Sequence, residues 1–228
     1  MIEFIFMLTR DDMTIPDAMT VYESIRSTGL RYVGFKDVGL PYATLRELAT
    51  AIRSDGREVM LEVVSERPED ELRSIRAATE IGVDWVLGGT HPDEALALLA
   101  GSGLRYCPFP GTVVGHPSQL RGSVDAIAED AAALTKRPGV AGLDLLAYRY
   151  DGDVEALVAA VVAAASGPVI AAGSVDSIAR IDALSRLGAW GFTIGSAIFE
   201  GRFGRPDDIA GQITTVLDHV AASAEPVR

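Results

Sequence analysis

Positive charge in this chain is carried almost wholly by arginine: of twenty Lys and Arg residues, only Lys36 and Lys136 are lysines. Lys36 also lies inside an apolar run, Tyr32-Val33-Gly34-Phe35-Lys36-Asp37, that reads as a β-strand. Successive strand side chains point to opposite faces. If Val33 and Phe35 face covering helices, Lys36 faces inward beside Gly34. The same parity turns Glu62 inward between Leu61 and Val63, and Asp144 inward between Leu143 and Leu145. One ammonium and two carboxylates then share a cavity. A buried charge without a partner is costly, so Lys36 and Glu62 are expected to pair. That pair is either a structural plug or chemistry. In the second reading Lys36 meets a substrate carbonyl or carboxylate, as a cation for developing oxyanion charge or, with its pKa lowered by desolvation, as a Schiff-base nucleophile. Glu62 or Asp144 would move a proton. A nearby Glu62 favours the charged amine and hence the electrostatic role.

A second pattern lies in the last quarter. Two short apolar runs end in Gly173-Ser174 and Gly195-Ser196, and each is followed by a helix-like stretch. Glycine lets an anion approach the backbone, N–H groups supply donors, and Ser174 and Ser196 each add a hydroxyl. Phosphate binding is the expectation. The plainer reading is that these glycines only turn strands tightly into helices.

Other positions are weaker. His91 follows Gly88-Gly89-Thr90 and precedes Pro92, where an imidazole serves as acid or base or merely touches a helix start. His116 lies in the long segment Phe109–Pro117, which reads as a lid or as a rigid Pro-bracketed connection. Arg10, Asp11 and Asp12 orient substrate or are solvated charges, and His219 falls on a surface helix. The histidines lack carboxylates at ligand spacing, so no metal and no other cofactor is expected.

The elements that position these groups alternate strictly. Strand-like runs span Ile2–Leu8, Tyr32–Asp37, Glu58–Val64, Val83–Gly88, Leu104–Pro108, Ala141–Leu146, Pro168–Ala172 and Trp190–Ile194. Amphipathic stretches start near Pro16, Pro41, Pro68, Pro92, Ser123, Asp153, Asp176 and Pro206. Leu45, Leu48, Ala49 and Ile52 recur at helical spacing before the stop signal Ser54-Asp55-Gly56. Eight strand–helix units within 228 residues fit an α/β fold, a single (β/α)8 TIM barrel of parallel strands covering 1–228. A doubly wound open sheet fits less well, because its Gly-rich loop usually follows the first strand and Thr9-Arg10-Asp11-Asp12-Met13 contains no glycine. In a barrel the two Gly-Ser corners are the loops after strands seven and eight, a common phosphate position.

The stretch PVIAAGSVDSIARIDALSRLGAWGFTIGSAIFEGRF, from Pro168 to Phe203, resembles the C-terminal quarter of the ribulose-phosphate-binding barrels, above all the phosphoribosyl-imidazole isomerase and cyclase barrels of histidine biosynthesis. The resemblance implies Gly173, Ser174, Gly195 and Ser196 as phosphate contacts. Ser174 stands where the family usually has the second glycine of a pair. The family also uses an aspartate on its first strand, and Ile2–Leu8 has no carboxylate near its C-terminal end. That departure counts against the specific isomerase activity.

Composition sets the remaining bounds. A formal charge of −12 with no concentrated basic patch excludes nucleic-acid binding. No apolar run approaches the roughly 20 residues of a membrane span, and Cys107 is a lone cysteine. A soluble cytoplasmic protein is the expectation, with a phosphorylated small molecule as its partner; a homo-oligomer is compatible with the sequence. The leading function is an enzyme acting on a small phosphorylated carbonyl compound by isomerisation or carbon–carbon lyase chemistry. The alternative is a barrel that binds a phosphorylated metabolite or flavin phosphate without transforming it.

Overall fold

The computed structural model describes residues 2–223. Among them, eight parallel strands form one sheet: β1 (Glu3–Met7), β2 (Tyr32–Lys36), β3 (Glu58–Val63), β4 (Trp85–Gly88), β5 (Arg105–Cys107), β6 (Leu143–Leu145), β7 (Val169–Ala171) and β8 (Gly191–Ile194). Pairing runs β6-β7-β8-β1-β2-β3-β4-β5. The ends meet through a parallel bridge between Tyr106 and Val140, with Ala141 N donating to Tyr106 O and Asp144 N to Pro108 O. The sheet therefore closes into a (β/α)8 barrel.

Helices α1 (Ala18–Ser24), α2 (Tyr42–Ser54), α3 (Pro68–Ile81), α4 (Pro92–Leu99), α5 (Val124–Thr135), α6 (Val154–Ala164) and α7 (Ile178–Arg186) cover the outside. They are joined by the short α8 (Ser196–Phe199) and by α9 (Ile209–Ser223). Ser123 and Asp153 cap α5 and α6 by accepting from Ala126 N and Ala156 N. The expected start near Pro206 moves to Ile209 because Asp208 accepts from Gly211 N and so begins the helix after itself. As the spacing requires, α2 buries Leu45, Leu48, Ala49 and Ile52.

Strand parity separates two apolar regions. Val33, Phe35, Leu61, Val63, Leu143 and Leu145 belong to the large shell between strands and helices. Ile5, Met7, Tyr32, Met60, Trp85, Leu87, Cys107 and Ile170 fill the barrel interior. At the N-terminal end the rings of Tyr32, Trp85 and Trp190 pack edge-on and tilted at 5.4–5.6 Å, closing the floor. Gly34 keeps its place because a Cβ there would collide with the Met7 thioether, which fills that level of the barrel.

Two loops hold structure of their own. Thr9–Arg10 and Met13–Thr14 form a small hairpin whose central residues, Asp11 and Asp12, both have positive φ, as tight hairpin turns require. The long segment that reads as a lid or a rigid connection leads into a second hairpin, Thr112–Val114 with Gln119–Arg121, whose Ser118 N reaches Asp12 at the mouth.

Candidate functional site

β2 and β3 run in register so that Lys36 is the direct partner of Glu62. Both side chains are buried, and Lys36 Nζ lies 3.3 Å from Glu62 Oε1. A closer partner comes from outside the strands: Asp12, at the turn after β1, binds the same amine through Oδ1. That oxygen also accepts from Arg149 Nη2 at 2.8 Å. Asp12 Oδ2 accepts from Ser118 N at 3.2 Å, and Arg149 Nη1 donates to Ser118 O at 3.2 Å. One carboxylate thus ties β2, the loop after β6 and the mouth hairpin together.

Burial alone would raise the Asp12 carboxyl, but the Lys36 ammonium and Arg149 guanidinium outweigh it and hold the pKa at about 2. Burial alone would lower the Lys36 amine; the Glu62 and Asp12 carboxylates reverse that and hold it above the ordinary lysine value. Glu62 is raised, chiefly by burial, with Lys36 opposing and Asp12 adding to the effect.

Lys36, Glu62, Asp12 and Arg149 line one cleft of about 90 Å³ together with Gly173, Ser174, Gly195 and Ser196. The two Gly-Ser corners and the amine therefore open onto a common space. Gly173 has φ +77°, and a Cβ there would lie 2.7 Å from Arg149 Cγ, so glycine lets the arginine stem pass. Ser174 adopts φ +56°, a left-handed conformation that costs a non-glycine residue about 1–2 kcal/mol. At Gly195 a Cβ would press on Thr9, including its carbonyl oxygen at 2.8 Å. Ser196 Oγ accepts from Asp11 N at 3.3 Å, joining the second corner to the first loop. The three non-glycine residues of positive φ among the described residues, Asp11, Asp12 and Ser174, all lie at this mouth. Such strain gathers where the surrounding structure over-determines the backbone.

The other expected residues fall elsewhere. Asp144 points into the barrel but is not among the residues lining the cleft. It is fully buried, its two carboxyl oxygens have no hydrogen-bond partner among the described residues, and burial followed by the Glu62 charge raises its pKa well above the carboxylate range. This environment favours the protonated form of Asp144. His91 is bound at Nδ1 to Glu71 Oε2, 2.9 Å away, where α3 meets the start of α4, and it does not line the cleft either. His116 Nδ1 reaches 3.9 Å from Asp12 Oδ2, and His219 pairs with Asp182 on the outer helices.

Arg149 escaped the sequence reading altogether, and Asp12 was not separable there from its solvated neighbours. The available signal was the run Leu143-Asp144-Leu145-Leu146-Ala147-Tyr148-Arg149, which puts an arginine just past a strand end. A carboxylate reaches the Lys36 amine from four residues past Leu8, at Asp12. Among the described residues no group of three or more His, Cys, Asp or Glu is arranged to hold a metal, and no helix is long and apolar enough to cross a membrane.

The chain matches no protein-family model and no curated protein. It is similar to solved structures of low sequence identity. The native KDPGal structure matches over 97% of this chain and 95% of its own, with 14% identity and a TM-score of 0.67. Tryptophan synthase from M. tuberculosis, in an open form, matches over 96% and 92%, with 16% identity and a TM-score of 0.67. The glycerol uptake operon antiterminator regulatory protein from Listeria monocytogenes matches over 85% and 91%, with 17% identity and a TM-score of 0.59. At such identities the shared property is the fold, on which unrelated activities are built. The chain has the (β/α)8 barrel fold of these proteins.

Proposed function

We propose that this chain is an enzyme acting on a small phosphorylated carbonyl compound, by isomerisation or carbon–carbon bond cleavage. One observation carries the reading: a buried amine and two Gly-Ser corners line the same cleft. In this reading Gly173, Ser174, Gly195 and Ser196 grip the phosphate through backbone N–H groups and hydroxyls. Binding energy from that remote group positions the reacting carbon against Lys36. The amine is held charged by two carboxylates, which favours oxyanion stabilisation over a Schiff base. Glu62, with its raised pKa, takes and returns the proton, and Asp144, which does not line the cleft, is the second candidate for that step. His91 is left out of this scheme because it does not line the cleft. Kinship with the ribulose-phosphate-binding barrels is part of the proposal and is supported by the last-quarter motif, with Asp12 standing near the missing first-strand aspartate.

Thermal-shift screening against sugar phosphates and amino-sugar phosphates identifies the ligand class, since a molecule that binds only the folded state raises the midpoint. With the substrate in hand, Lys36→Met is expected to abolish turnover while phosphate binding persists. Unchanged turnover removes Lys36 from the mechanism. Borohydride trapping should leave no adduct, and a covalent adduct would replace the electrostatic role by a Schiff base.

A second reading is favoured by the size of the cleft. At about 90 Å³ it is well below the roughly 300 Å³ at which pockets for drug-sized ligands begin, and Lys36 is already met by Asp12 and Glu62. A barrel that binds a phosphorylated metabolite without transforming it fits that closure. Flavin phosphate would have to seat its ring outside this cleft, and absorbance of the purified protein tests it.

A further inference from the structure

We propose that Asp12 is an internal stand-in for a carboxylate carried by the ligand, and that a short substrate with a phosphate at one end and a carboxylate at the other displaces it from between Lys36 and Arg149. The inference deepens the phosphate reading above and rests on it.

Two cations converge on one Asp12 oxygen, in the arrangement that a carboxylate ligand would meet. Glu62, by contrast, stands within β3 and is fixed there by the strand ladder. Asp12 belongs to no such ladder. It occupies the tip of a two-residue turn in which it and Asp11 have φ of +63° and +50°, conformations that side-chain-bearing residues adopt at a cost. Its side chain is held by Lys36, Arg149 and Ser118 N, so an incoming carboxylate that takes the two cations frees that side chain.

The same arrangement limits the ligand. The stem of Arg149 crosses Gly173, so the cation pair and the first phosphate corner are neighbours within one cleft. A ligand that reaches both is only a few carbons long. The chain carries a net charge of −12, so an additional negative charge is disfavoured everywhere except where cations are concentrated. A preference for the more highly charged of two phosphates therefore reports this local pair.

The experiment compares phosphoglycolate, which bears both groups, with glycerol 3-phosphate, which lacks the carboxylate, by calorimetry on the wild-type protein, Asp12→Asn and Arg149→Met. Phosphoglycolate is expected to bind roughly tenfold or more tightly than glycerol 3-phosphate to the wild type. That ratio should rise in D12N, where the internal competitor has lost its charge, and fall toward one in R149M. Equal affinities in the wild type overturn the assignment whatever the stability of either variant, and so does a wild-type preference that a folded D12N leaves unchanged. If glycerol 3-phosphate binds and phosphoglycolate does not, only this inference fails. If neither binds and inorganic phosphate is also inert, the phosphate reading fails and takes this inference with it.

Discussion

Lys36 and Glu62 are register partners on adjacent parallel strands, and their charged ends meet 3.3 Å apart inside the barrel. Removing one member of a buried pair leaves the other uncompensated, which typically costs about 3–5 kcal/mol, whereas replacing both by apolar residues of similar volume is often neutral. Lys36→Met is therefore expected to lose stability on that order at pH 7 in denaturant unfolding. Glu62→Met added to it should recover part of the loss, because Asp12 keeps Arg149 as its partner. A double variant no more stable than K36M would show that Glu62 has no energetic link to the amine.

This relationship was legible in the sequence because it depends on parity alone. Val33 and Phe35 on one face of β2 and Lys36 on the other follow from a period of two, and the neighbouring strand obeys the same rule. The barrel followed in the same way from eight alternating units. Asp12 and Arg149 were not legible, since their meeting depends on loops after β1 and β6 that lie 137 residues apart in sequence. No periodicity connects such positions; only closure of the barrel brings them together. His91 shows a different limit. It lies past a strand end as the sequence suggests, but parity says nothing of the buried Glu71 on α3 that binds its ring, and it does not line the cleft.

Asp12 and Asp144 should give stability opposite slopes at the two ends of the pH range. The folded Asp12 carboxyl is depressed to about 2, so its contribution is present above the unfolded-state value near 3.8 and is lost as pH falls through about 2. Asp144 is raised, so the folded chain keeps a proton that the unfolded chain gives up. Stability then declines as pH rises above the ordinary carboxyl range, by up to about 1.4 kcal/mol per unit, until the raised value is passed. Asp144→Asn mimics the neutral acid and removes that decline. Thermal midpoints of wild type and D144N between pH 5 and pH 8 should diverge in favour of the variant; parallel curves would mean that Asp144 is not held protonated.

Glu71 accepts four hydrogen bonds from two consecutive residues: Thr90 N and His91 N, the Thr90 hydroxyl, and His91 Nδ1. It thereby pins the loop after β4 to α3 from a fully enclosed position. Glu71→Ala strands those donors and is expected to cost roughly 3 kcal/mol. His91→Ala removes one half-exposed partner and should cost under about 1 kcal/mol by the same measurement. Equal losses in the two variants would place the anchoring in the ring rather than in the carboxylate.

Ser174 separates architecture from binding at the first corner. Its left-handed backbone costs a residue with a side chain about 1–2 kcal/mol, while glycine in its place gives back roughly 0.5–1 kcal/mol through the freer unfolded chain. Ser174→Gly should therefore raise unfolding stability by up to about 1 kcal/mol. The backbone N–H at this corner is unchanged by the substitution, whereas the hydroxyl is lost. If that hydroxyl donates to a bound phosphate, the affinity for inorganic phosphate falls several-fold even as the free protein becomes more stable. A variant that gains stability with no loss of phosphate affinity would assign the whole anion contact at this corner to the backbone, and one that loses stability would mean that the serine side chain supports the turn itself.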